Sequence, residues 1–260
     1  EFDSENAVAA CLGLGEVAVA QQEWIGADAW YTRGLTLAKA AGAEHRMGEL
    51  ERQLGVLKRH TGDLTAAQDL LRRARERFER LGDAIELARV LNSQGELDGR
   101  LDRPAAALAA YHEALAWRRR AGSDAALEVA IRRNLAELHL RADRFLEAEA
   151  EARRAEQAAI AENQLRQLIP VYILLGRLKG RQADQTGFVF FEQAIELCRT
   201  VDHAPAVEGQ LYYEYGAFKH GTGELEEARA YFERARGLFE SVGVTADLDR
   251  LRDELGRRSA

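Results

Sequence analysis

GELERQLGVLKRHTGDLTAAQDLLRRARERFERLG, residues 48–82, reads as two helices and the turn between them. Leu50, Leu54 and Leu57 recur at spacings of four and three, which places them on one face of a helix. Gly62-Asp63 interrupts the pattern. Glycine tolerates the turn, and Asp accepts bonds from the free amides at a helix start. Ala67, Leu70, Leu71 and Ala74 form a second stripe, and Gly82 closes it as a residue able to take the left-handed cap. The expected helices span 48–60 and 64–81. Gly55 and Ala67 are small where the two helices meet, and Leu71 fills the remaining space.

The same pattern recurs along the chain. A small residue follows a large or polar one at Leu14-Gly15, Leu54-Gly55, Gln94-Gly95, Leu135-Ala136, Leu175-Gly176 and Tyr215-Gly216, at intervals of 40, 40, 41, 40 and 40 residues. Twelve positions on comes another small residue: Ala27, Ala67, Ala107, Ala148 and Ala228. Tyr31, Leu71, Tyr111, Ala152 and Phe232 follow, and then Gly34, Ala74, Ala114, Ala155 and Ala235. The fifth copy departs. Phe188 stands at the small-residue count, and register returns one residue early at Phe191 and Ala194, which reads as a one-residue deletion in the inner turn. Outer stops fall at Gly42, Gly82, Gly122 and Gly243, whereas those near Ala161-Glu162 and Val201-Asp202 lack glycine. Pro104 belongs in a helix's first turn, where its missing N–H costs little, and Pro170 invites the same explanation.

One hairpin cannot bury its second face, but stacking on the next hairpin can. The expected organisation is a single array over 1–260, with repeats near 6–43, 44–83, 84–123, 124–163, 164–203 and 204–243. A helix over 245–258, carrying Ala246, Leu248, Leu251 and Leu255, is expected to cap the last face.

The order large–Gly, Ala, aromatic, Ala resembles the tetratricopeptide repeat, in six copies covering nearly the whole chain. Each copy is longer than the usual unit and lacks its closing proline. Such elongated repeats are similar to those of bacterial signalling and regulatory proteins. The resemblance implies an all-α fold, a right-handed α–α superhelix of six hairpins, that binds a protein or peptide rather than catalysing a reaction.

The composition agrees. Ala, Leu, Arg and Glu dominate, residues that lose little side-chain freedom in a helix, and there are three prolines. The net charge of −7 opposes a general nucleic-acid or anionic-membrane surface. No apolar run reaches membrane-spanning length. Cys11 and Cys198 lie far apart and no signal peptide is visible, which points to free thiols in a reducing, cytoplasmic setting. The chain opens on Glu1-Phe2 rather than Met and reads as a segment of a longer protein. No chemistry-bearing motif stands out. His45, His60, His112, His139, His203 and His220 show no metal-ligand spacing. Gly176-Arg-Leu-Lys-Gly180 lies inside a helix pattern and makes no phosphate loop. No Gly-x-Ser-x-Gly elbow exists. No cofactor or metal is implied.

The resemblance also implies that the first helix of each repeat lines a concave groove. The inward positions then include Arg52, Arg59, Arg89, Asn92, Arg100, Arg133, Arg141, Arg177, Arg181 and Tyr213. The whole inward set holds eight arginines against Glu16, Glu49, Glu96 and Glu137, a formal excess of four positive charges. Arginine's planar fork suits carboxylates, so the expected partner is an acidic or carboxylate-bearing segment. Against this, Glu96 and Arg100, and Glu137 and Arg141, have the spacing that pairs on one helix. The Lys–Asn pair of the family's chaperone-tail clamp is absent, with Arg52 and Val56 in its place. Leu12, Val19 and Ala20, near Trp24 and Trp30, read either as core or as a face for self-association. Two alternatives stay open: a ligand-sensing peptide receptor, and a scaffold assembling through its first repeat.

Overall fold

The backbone takes positive φ at Gln22, Gly62, Asp102, Asp143, Ala183 and Gly223, and each residue is the hinge of a helix hairpin. The computed structural model describes residues 2–122 and 124–243, with only the backbone of residues 2–4. Among the described residues the hairpins are α1 (Phe2–Ala20) with α2 (Trp24–Ala40), α3 (Glu44–Thr61) with α4 (Leu64–Leu81), α5 (Ala84–Arg100) with α6 (Pro104–Ala121), α7 (Ala125–Arg141) with α8 (Phe145–Ala161), α9 (Leu165–Arg181) with α10 (Phe188–Thr200), and α11 (Pro205–Gly221) with α12 (Leu225–Val242). No strand occurs among them. The capping helix expected over 245–258 lies outside the described residues.

Local chemistry fixes the helix ends. Asp63 accepts from the Ala66 amide at 3.1 Å, and Asp83 from the Ile85 and Glu86 amides at 3.1 Å each, so orphan donors are satisfied. Pro104 and Pro205 sit at the starts of α6 and α11, where no helical N–H is needed. Outer turns take positive φ at Gly42, Gly82, Gly122 and Gly243. The fourth outer turn does so at Asn163, the other residue type that visits this conformation readily, which is why it needs no glycine. The fifth leaves the helix through extended backbone at Val201.

The chain forms two compact units, Glu1–Leu127 and Glu128–Ala260, with the boundary inside the first turn of α7. In the first, Tyr31, Leu50, Leu57, Leu71, Phe78 and Leu91 are fully buried. A Cβ at Gly55 would lie 2.8 Å from Leu71, and one at Gly95 2.5 Å from Tyr111. These glycines are therefore small because a second-helix side chain occupies the space beside them. In the second unit the alanines of α8 (Ala148, Ala152, Ala155, Ala159) pack into a core with α9, Phe191, Leu211 and Tyr215. The Phe191 and Tyr215 rings stack at 4.9 Å and those of Tyr215 and Tyr231 at 4.4 Å.

Three local expectations need correction. The helix expected over 48–60 begins at Glu44; Gly48 is interior, and its missing side chain leaves room for Phe78, 2.6 Å from a notional Cβ. Pro170 is not in a first turn, because α9 starts at Leu165. It is the sixth residue and supplies no N–H to the Arg166 carbonyl. The missing residue of the fifth repeat does not fall in the inner turn, since Ala183 keeps the 40-residue interval from Asp143. A tighter 3₁₀ turn over Gln185–Gly187 takes up the loss at the start of the second helix. Gly187, not Phe188, is the small residue there: a Cβ would lie 2.6 Å from Phe218 and 3.1 Å from the Gly176 carbonyl.

Among the described residues no helix is long and apolar enough to cross a membrane.

Candidate functional site

The arginine register read from sequence falls on the first helices of the hairpins, and the structure gives most of these arginines carboxylate partners about one repeat away. In the first unit, Arg52 on α3 is 17% exposed with Nε 3.5 Å from Glu86 Oε2. Arg89 on α5 donates to the other oxygen of Glu86 at 2.7 Å and to Asp124 at 3.1 Å. Burial, and then the charge on Arg89, disfavour the charged form of Arg52, and Glu86 only partly offsets them, so its pKa falls below the usual arginine value. Arg59 pairs with Glu96 at 2.7 Å, and Arg100 donates to the Arg59 carbonyl at 2.7 Å. Asn92 is half-buried on α5. A small hollow of about 130 Å³ lies between α1, α2 and α3, lined by Glu16, Val19, Trp24, Tyr31, Gln53, Val56, Leu57 and His60. Trp24 stacks on His60 at 6.0 Å there. Burial lowers the His60 pKa, and Arg59 adds to the effect. Leu12, Val19, Trp24 and Trp30 pack partly buried against this unit's core.

In the second unit, Arg177 on α9 joins three helices. It donates to both oxygens of Glu137 on α7, at 2.8 and 3.3 Å, and its Nε lies 3.3 Å from Glu214 on α11. Burial opposes its charge, but Glu214 and Glu137 outweigh that and hold its pKa above the usual arginine value. Burial raises the Glu137 pKa, and Arg177 and Arg141 more than reverse this, leaving it below the ordinary carboxylate value. Arg141, exposed, lies 3.3 Å from Glu137, and Arg181 pairs with Asp143. Tyr213 is half-buried with its ring 5.9 Å from Phe232. Arg133 differs: half-buried on α7, it donates to the neutral amide oxygen of Asn134 at 3.3 Å and has no carboxylate partner among the described residues.

The excess of four positive charges counted from the sequence does not survive these pairings. Glu86, Asp124, Asp143 and Glu214 were missed, because their partners come from the neighbouring repeat and no spacing within one helix announces them. Counting them, the first unit sets four arginines against Glu16, Glu49, Glu86, Glu96 and Asp124, and the second sets four against Glu137, Asp143 and Glu214.

Three further hollows lie in the second unit. One of about 410 Å³ has Pro170, Ile173, Leu174, Ala206 and Val207 as apolar lining, with Arg133, Asn134, Glu137, Arg177 and Gln210 around them. A neighbour of about 460 Å³ shares Arg133, Pro170 and Val207 and reaches Asp202 and His203. A third, of about 550 Å³, shares Arg177 and extends along α9 and α11 to Gly180, Arg181, Phe218 and Gly221. Together they form a trough along α7, α9 and α11 and the turns beside them, with Arg133 shared by two of the hollows and Arg181 lining the third. No group of three or more His, Cys, Asp or Glu placed to hold a metal ion occurs among the described residues.

Residues 46–120 match the family model described as tetratricopeptide repeat. No curated protein matches the sequence. Among solved structures the chain is similar to BtubC from P. vanneervenii, at 22% identity over 92% of each chain with a TM-score of 0.65. It is similar to the Rap conjugation gene regulator of the plasmid pLS20 in complex with the Phr* peptide, at 16% identity over 93% of this chain and 67% of that one, TM-score 0.72. It is also similar to a Rap protein complexed with competence and sporulation factor, at 14% identity over 100% of this chain and 74% of that one, TM-score 0.69. At these identities the likeness is one of fold.

Proposed function

We propose that this chain, whose residues 46–120 match the tetratricopeptide-repeat family, is a peptide-binding interaction module whose recognition surface is the trough of the second unit. The ligand is a segment of a partner protein carrying at least one carboxylate. The observation that carries this reading is Arg133. It opens onto two hollows, one of them lined by Pro170, Ile173, Leu174 and Val207, and its guanidinium pairs with no carboxylate among the described residues. A ligand carboxylate would give this half-buried guanidinium a charge-assisted hydrogen-bond partner. Pro170, Ile173 and Val207 then offer apolar contact to neighbouring side chains of the segment. The complex of the similar Rap regulator with its Phr* peptide supports a peptide as the ligand. Arg177 and Arg181 line the trough with their charges answered by Glu137, Glu214 and Asp143, and Arg141 is paired with Glu137. In the first unit Arg52, Arg59 and Arg89 are paired with carboxylates and Arg100 donates to the Arg59 carbonyl, so none of the four offers the trough a charge.

Arg133→Glu tests the reading, with a pool of fluorescein-labelled acidic peptides as probe and anisotropy as readout. The expected loss is about tenfold or more, the size of one charge-assisted contact, with thermal unfolding unchanged. A variant that binds the pool as the parent does would sink the proposal.

A further inference from the structure

We infer that the hollow of about 550 Å³ in the second unit is a socket for an aromatic side chain of the bound segment, an inference that rests on reading the trough as a peptide surface. Its walls are open because side chains are missing. Gly180 and Gly221 lie at the register positions held by Arg59 and His60 in the second repeat. A Cβ on Gly221 would meet nothing within 4 Å, and its backbone is helical. Neither packing nor a left-handed turn therefore calls for glycine there.

The floor is Phe218, 8% exposed. It is held from three sides: Gly180 and Gly187 leave no room beside it, and the Phe191 ring lies 5.5 Å away at 54°. The rim carries Arg177 and Arg181, each fixed by carboxylates outside or at the edge of the hollow. Their charges are already answered, and Glu214 and Asp184 also line the space, so an anionic side chain gains nothing here. What remains on offer is an apolar floor and planar guanidinium groups, which favour a ring. The same pairing occurs elsewhere in the unit, with Arg153 4.9 Å from the centre of the Phe190 ring. The hollow's volume of about 550 Å³ admits a side chain as large as Trp.

The test compares two labelled acidic peptides that differ only in one residue, Trp or Ala, on the parent protein, Gly221→Leu and Arg133→Glu. N-acetyltryptophanamide and N-acetylleucinamide, followed by saturation-transfer NMR, probe the socket without a peptide. Leu at 221 has open space to enter and a higher helix propensity than Gly, so folding is retained. The Trp peptide is expected to bind the parent about tenfold more tightly than the Ala peptide, a difference that Gly221→Leu abolishes and Arg133→Glu leaves in place. N-acetyltryptophanamide is expected to bind the parent but not Gly221→Leu, and N-acetylleucinamide to bind neither. Equal affinity for the two peptides, an unchanged preference in Gly221→Leu, or leucinamide binding as well as tryptophanamide each overturns the socket while leaving the trough reading intact. If neither peptide binds, the trough reading fails, and N-acetyltryptophanamide alone decides the socket.

Discussion

Glu51 shows what a single residue contributes inside the first unit. It is 1% exposed, accepts from Arg77 Nε at 3.2 Å, and lies 3.8 Å from Arg73. Arg77 is shared with Glu44 at the start of α3. Glu51→Leu would leave Arg77 with one exposed partner in a buried setting, and urea unfolding should show a loss of about 3 kcal/mol. Glu137 makes the matching prediction for pH in the second unit. Its folded pKa is depressed below the ordinary value of 4.5, so its stabilisation is present above that value and is lost as pH falls through the folded pKa. Glu137→Gln should therefore flatten the decline of thermal stability below about pH 4.5, and a parent and variant with parallel acid limbs would contradict the assignment. The sequence placed the arginines on the right helices but overstated their charge. Most of the pairing is a property of neighbouring repeats, set by residues some 34 to 40 positions apart, and a helix read alone shows only the part made within it, such as Glu137 with Arg141. Glu51 was illegible for a related reason: next to Arg52 and two residues from Glu49, it looks like a solvated surface residue until the facing helix is known.

At the scale of elements, the helix starts and stops were the most legible part of the chain. Leu64–Leu81 was expected and is observed, because Asp63 and Gly82 are strong cap residues. First helices were harder. Gly48 looks like a start, yet it is interior, and only the position of Phe78 explains it. The hinges carry strain that the sequence hides. Ala183 has φ 55° where Gly62 and Gly223 do the same work without a Cβ. A left-handed alanine costs about 1 kcal/mol or more, so Ala183→Gly should raise stability by roughly 0.5–1 kcal/mol after the unfolded chain's added freedom is subtracted. A melting temperature that falls instead would mean the Ala183 methyl makes a contact worth more than the strain.

At the scale of the molecule, each unit has its own buried core, and the reporters divide between them. Trp24, Trp30 and Trp117 all lie in Glu1–Leu127, whereas helices are found in both units. Repeat arrays are stabilised by nearest-neighbour terms, so a defect near one end need not propagate along the chain. Gly209→Leu sets a side chain against Phe239, which lies 2.6 Å from the notional Cβ, and overpacking of this kind costs about 1–3 kcal/mol. In that variant the ellipticity midpoint in urea should fall below the tryptophan-fluorescence midpoint. Coincident transitions would show instead that the array unfolds as one cooperative body. The tight start of α10 bears on how such arrays recombine. Phe191 reaches Gly176 only because Gln185–Gly187 winds tightly. A chimera spliced between Ala183 and Phe191 with another repeat would be out of phase by one residue, swinging the ring about 100° around its helix. Crossovers placed at the left-handed hinges keep every copy in phase, so segment exchange is tolerated there and not within the fifth repeat's second helix.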